Sequence, residues 1–110
     1  MSPLELKFTR LWVHAIKGQT DVTLEHRFDA PRRWRFDFAH KPTKVAIEIE
    51  GGTSSGKSRH TKPEGFREDC FKYNTASRLG WVVFRLTSDM VNATELTKIS
   101  EFIQERAGKI

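Results

Sequence analysis

The sequence predicts one mixed α/β domain, a central mixed sheet flanked by helices in the order αβββαβα, and three kinds of signal carry that prediction. Runs at 22–28, 34–38 and 43–50 alternate with the period of two that marks half-buried strands. Two capping boxes, Ser2-Pro3-Leu4-Glu5 and Asn92-Ala93-Thr94-Glu95, each open a stretch with helical apolar spacing. A further helical stretch ends at Gly80, directly before the apolar run Trp-Val-Val-Phe-Arg-Leu at 81–86. The 110 residues support a single domain over 1–110, long enough for a real core and too short for several.

In chain order, Pro3 at the first helical position and Glu5 three residues after the Ser2 cap start a helix to about residue 16, which Gly18 can end. Leu4, Phe8, Leu11 and Ala15 share a face expected to pack on the sheet. Strand 22–28 leads through a turn at Asp29-Ala30-Pro31 to Trp34-Arg35-Phe36-Asp37-Phe38, with the aromatics expected on one side and Asp37 on the other. The run 43–50 sends Val45, Ile47 and Ile49 to one face and Ala46, Glu48 and Glu50 to the other. A Gly/Ser/Lys-rich loop follows at 51–62. Pro63 then introduces a helix over about 64–79, with Phe66, Cys70, Tyr73 and Ser77 along one stripe. After the buried strand 81–86, the last helix turns Leu96, Ile99, Phe102 and Ile103 inward.

Composition narrows the class of partner. Lys plus Arg number 19 against 14 Asp plus Glu, a formal charge of +5 that suits an extended polyanion. The single Cys70 excludes an internal disulfide. With no apolar stretch of membrane length and no leader pattern, it points to a reducing cytoplasm and no membrane. His14, His26, His40 and His60 lack a zinc-ligand spacing with Cys70.

Glu48 and Glu50 share a strand face, and a hairpin with the preceding run would bring Asp37 to them. Three such acids repel, and a hard divalent cation on oxygen ligands relieves the repulsion, so Asp37, Glu48 and Glu50 form a candidate Mg2+ site with Mn2+ as a substitute. The bland alternative is cross-strand pairing of these acids with Arg35, Lys41 or Lys44. Lys72 has two readings as well, a surface pair with Asp69 three residues away or a lysine reaching the acids. Glu5 either serves its capping box alone or adds a further acid. Gly51-Gly52-Thr53-Ser54-Ser55-Gly56-Lys57-Ser58 fits the nucleotide-binding G-x-x-x-x-G-K-[ST] pattern, but no helix begins at Lys57 and two acids precede it. The loop reads better as a basic segment in which Lys57, Arg59, His60 and Lys62 meet DNA phosphates, with Arg32 and Arg33 beside them and no nucleotide cofactor.

A helix carrying Glu5, a strand carrying Asp37, Glu48-Ile49-Glu50 at a strand end, then helix and strand: this order resembles the PD-(D/E)XK nuclease core, a restriction-endonuclease-like fold, over most of the chain. Size, basic character and the N-terminal Glu look most like archaeal-type Holliday-junction resolvases, including phage-encoded ones. The resemblance implies a homodimer that cuts four-way DNA junctions by Mg2+-dependent phosphodiester hydrolysis, in the host cytoplasm if phage-encoded. It also implies Asp37 and Glu48 as metal ligands, the Ile49 carbonyl as another and Glu5 as the extra helix acid. Glu50 stands where the family's motif has lysine, which leaves that role vacant or transferred to Lys72 or Lys57. The segment from Glu48 to Arg85 also resembles mismatch-repair-type endonucleases of the same superfamily, and a DNA-binding module that has lost activity is a further alternative.

Overall fold

The computed structural model describes residues 1–15, 22–51 and 63–108. Its elements follow the expected order: α1 (Pro3–Ala15), β1 (Thr23–Arg27), β2 (Arg35–His40), β3 (Val45–Glu50), α2 (Pro63–Arg78), β4 (Val82–Thr87) and α3 (Ala93–Ala107). Single 3-10 turns at Lys41–Thr43 and Ser88–Met90 close the β2–β3 hairpin and lead into α3.

The caps behave as the sequence expects. Glu5 N–H donates to Ser2 Oγ (3.1 Å) and Ser2 N–H to Glu5 Oε1 (3.3 Å), a reciprocal capping box. Glu95 N–H donates to the Asn92 side chain (2.9 Å). At the end of α2, Trp81 N–H reaches the Ala76 carbonyl and Gly80 N–H the Ser77 carbonyl, a Schellman closure. It needs the left-handed φ of +88° that Gly80 adopts without a Cβ penalty.

The sheet order is β1-β2-β3-β4, antiparallel except for the parallel β3–β4 pair that α2 connects. Helices α1 and α3 cover one face. There Phe8, Trp12, Leu96, Ile99 and Ile103 close over Phe38, Val45, Ile47 and Leu86. Helix α2 covers the other, a smaller layer of Phe36, Ala39, Ala46 and Ala76 with Phe28, Trp81 and Val83 against it. Burying a large aliphatic or aromatic side chain contributes about 1.5–3 kcal/mol, so the α1/α3 layer supplies most of the apolar stabilisation.

Two expectations about faces need correction. Phe36 and Phe38 do not share a side: Phe38 packs on Phe8 (ring centroids 4.3 Å apart), whereas Phe36 stacks on Phe28 (4.1 Å) under α2. The alternation breaks between them, at Asp37. Nor does α2 bury Phe66, Cys70 and Ser77. It buries Asp69, Lys72 and Ala76, leaving Phe66 62% exposed and Tyr73 half-buried. The sheet under α2 carries the acids at its β3 end, and a polar helix face matches them where an apolar one would not.

Candidate active site

The break at Asp37 lies where β2 pairs with β1. Leu24 pairs with Phe38 and His26 with Phe36, so Glu25 and Asp37 lie at the same level between them. Glu25 has φ +51°, a left-handed conformation that disfavours a side chain by about 1–2 kcal/mol. Opposite that residue, the β2 aromatics on either side of Asp37 lie in different layers, Phe38 under α1 and α3 and Phe36 under α2. The Asp37 side chain takes up a backbone donor of β3 there, Ile49 N–H donating to Oδ2 at 2.7 Å. Asp37 is thereby fixed against the strand that carries the two glutamates.

Glu48 projects from β3 beneath α2, where Lys72 Nζ donates to its Oε1 at 3.0 Å. Both side chains are buried, 8% exposed for Lys72 and 10% for Glu48, so this is an internal ion pair. The surface pairing of Lys72 with Asp69 is therefore corrected: both residues lie on the covered face of α2, and Lys72 spans to the sheet. Burial pushes the Glu48 carboxyl up to about 7 against the pull of the Lys72 ammonium, and the Asp37 and Glu50 charges add to the rise. Asp37 is raised too, first by burial and then by Glu5 and Glu25, although the Ile49 N–H and Lys72 favour its charged form.

On the other side of Asp37, Glu5 and Glu25 complete a group whose carboxylate oxygens all lie within 4.8 Å of one another. Glu5 caps α1 and also lies close to Asp37. Glu25 was not among the expected site residues. The register of β1 against β2 reveals it, and local alternation in 22–28 carries no such information. Glu25 also pairs loosely with Arg35 across the ribbon (3.8 Å).

Glu50 faces a different neighbour. Arg85 Nε, on β4, donates to Glu50 Oε1 at 2.7 Å, and the Arg85 guanidinium lies over the Tyr73 ring, 4.5 Å from its centroid. Burial disfavours the charged guanidinium, but the Glu50 hydrogen bond together with the nearby Tyr73, Glu50 and Asp69 charges outweighs it and holds the Arg85 pKa above its ordinary value. Burial and the Glu48 and Glu50 charges push the Tyr73 phenol up. Arg85 was not an expected site residue, because a lone Arg in an apolar strand gives no local signal.

A hard divalent cation fits this donor set on chemical grounds. The clustered ligands are carboxylate oxygens, and beyond the effect of burial Glu5 and Glu25 add to the rise of Asp37, a repulsion that such a cation relieves. Of the expected DNA contacts, Arg32 and Arg33 line an open cleft of about 480 Å³ with Trp34 and Glu68. Arg32 sits 4.6 Å over the Trp34 ring and 3.6 Å from Asp29, and Trp34 Nε1 donates to Glu68 (3.1 Å). Lys57, Arg59, His60 and Lys62, with the G-x-x-x-x-G-K-[ST] pattern beyond Gly51, lie outside the described residues.

Among the described residues, four strands form a mixed sheet between helices on both faces, with Glu5, Glu25 and Asp37 gathered where α1, β1 and β2 meet, and the whole is a mixed α/β fold. In particular, the chain is similar to the solved "Homing Endonuclease I-Bth0305I Catalytic Domain", with a TM-score of 0.61 over 96% of this chain and 94% of that one. Sequence identity is 18%, so the likeness is one of fold. No protein-family model and no curated protein matches the sequence.

Proposed function

We propose that this protein is a metal-dependent DNA endonuclease that resolves four-way junctions as a homodimer. The observation carrying the reading is the buried Glu48–Lys72 pair beside Asp37, on a fold similar to a homing endonuclease catalytic domain. Asp37 and Glu48, with the Ile49 carbonyl, are the proposed holders of Mg2+ or Mn2+, and Glu5 and Glu25 add carboxylates from the far side of Asp37. A divalent cation held there would supply a water of lowered pKa and offset charge on the leaving oxygen. Lys72 holds the Glu48 carboxylate in one orientation and favours its ionised form, the form able to ligate. The Ile49 N–H does the same for Asp37. Arg32, Arg33, Lys57, Arg59, His60 and Lys62 grip backbone phosphates without reading bases, as suits recognition of DNA shape. Symmetric junction cutting needs two sites related by a two-fold axis, hence the homodimer.

A second reading, a mismatch-repair-type endonuclease, is favoured by one specific observation. The segment carrying that resemblance, Glu48 to Arg85, supplies Lys72, Tyr73 and Arg85, the groups packed around the glutamates. The deciding experiment incubates the protein with a four-way junction, a mismatched duplex and a perfect duplex, with Mg2+ or EDTA. Paired Mg2+-dependent nicks in the junction are expected, and their loss in Asp37→Asn and Glu48→Gln. Nicking confined to the mismatched duplex by a monomer would move the function to the second reading. Binding of all three without any cleavage would leave a non-catalytic DNA-binding module.

A further inference from the structure

Position 50 is where the resemblance puts a lysine and this chain has a glutamate. Lys72 cannot simply replace that lysine as a contact to DNA. Its side chain is 8% exposed and its ammonium is held on Glu48 at 3.0 Å. Arg85 is differently disposed. In the parallel β3–β4 register it stands directly beside Glu48, one strand spacing away, and 46% of its side chain is exposed. Glu50 engages its Nε and Tyr73 stacks beneath its plane, so two contacts fix the fork. An arginine held through Nε presents the rest of its fork outward, the geometry that suits a phosphate. The cleft there, of about 460 Å³, is lined by Arg85 with Phe66, Asp69, Cys70, Tyr73 and Asn74, room for a nucleotide unit of a strand crossing the acids.

We propose that Arg85 contacts the DNA phosphate at or next to the cut, and that Glu50 is the positioning residue that aims it rather than a metal ligand. The inference rests on the endonuclease reading above. An arginine one strand further on thus takes the cationic role that the motif lysine would have at position 50, and the charge at position 50 is inverted because it holds that arginine.

The test compares wild type with Arg85→Gln, Arg85→Lys and Glu50→Gln, each checked for an unchanged circular-dichroism melt so that folding is separated from contact. Arg85→Gln is expected to lower cleavage kcat/KM by about 10²-fold, the usual effect of losing one donor to developing charge, with the Mg2+ half-saturation unchanged. Arg85→Lys recovers part of the loss. Glu50→Gln lowers kcat/KM by a smaller factor, on the order of tenfold, and also leaves the Mg2+ midpoint in place. Binding is read separately in the Asp37→Asn background. Arg85→Gln should reduce the salt slope by about 1 and weaken unmodified DNA, yet have no effect on DNA carrying a neutral methylphosphonate at the contacted linkage. A tenfold shift in the Mg2+ midpoint with Glu50→Gln, or equal weakening on both DNAs with Arg85→Gln, would overturn the proposal. If the wild type cleaves no DNA, the endonuclease reading falls, and the salt slope and the methylphosphonate comparison still decide the Arg85 contact.

Discussion

Replacing Lys72 by methionine isolates the internal ion pair, because methionine keeps the length and apolar stem of lysine and removes the charge. At 3.0 Å and an effective dielectric of about 20, the attraction between the Lys72 ammonium and Glu48 is about 5–6 kcal/mol, most of it offset by desolvating both groups. Removing one partner is worse than removing both, so with Glu48 ionised Lys72→Met is expected to cost about 3–5 kcal/mol. The cost depends on pH in a direction the structure sets. In the wild type, Glu48 ionises around 7, so at pH 5 it is neutral and the substitution deletes a buried charge that has no carboxylate partner there; the cost falls to near zero or reverses. Above pH 7 it grows by about 1.4 kcal/mol per pH unit until Glu48 also ionises in the variant, at a pKa raised further by the lost ammonium. Urea unfolding at pH 5, 7 and 8.5 in EDTA, followed by tryptophan fluorescence, measures this, with a midpoint shift on the order of 2 M at the highest pH. Glu48→Leu combined with Lys72→Met should recover much of the loss. A pH-independent cost below about 1 kcal/mol would refute the internal pair.

Three further outcomes follow from the same site. In EDTA the wild type should lose stability as pH rises from 4.5 to about 7, by about 3 kcal/mol, because over that window native Glu48 keeps a proton the unfolded chain has released; millimolar Mg2+ should restore it more at pH 8 than at pH 5, and a flat pH–stability curve would contradict the raised carboxyl. Asp37→Asn keeps an oxygen for the Ile49 N–H and removes the charge, so stability in EDTA should stay within about 1 kcal/mol while the Mg2+-induced rise in Tm and the cleavage disappear; Asp37→Ala also loses the hydrogen bond, about 1–3 kcal/mol, and a full Mg2+ response in either variant would remove Asp37 from the metal site. DNA affinity should fall with salt at a log–log slope on the order of −4 to −6, less steep by about 1 for each of Arg32→Gln and Arg33→Gln, and a flat titration would count against a phosphate grip.

The sequence by itself determined the elements and their ends, because their causes are local. A serine, a proline and a glutamate in one turn build the α1 cap, and Gly80 closes α2 because it alone accepts the required φ at no cost. Period two assigned Val45, Ile47 and Ile49 to one layer and Ala46 and Glu48 to the other, since β3 is regular and flanked on both sides. Asp37, Glu48 and Glu5 were legible as acids on strands and a capped helix. The tertiary structure decided the rest. Phe36 and Phe38 pack in different layers, opposite a left-handed residue of the partner strand, a split that no alternation pattern encodes. The polar face of α2 was hidden for the reverse reason. Lys72 and Asp69 look like solvated surface until the sheet beneath them is seen to carry buried carboxylate, and burial then inverts which face of the helix is inside. Glu25 and Arg85 entered through register alone, opposite Asp37 and beside Glu48, because strand pairing joins residues whose separation along the chain holds no trace of their contact.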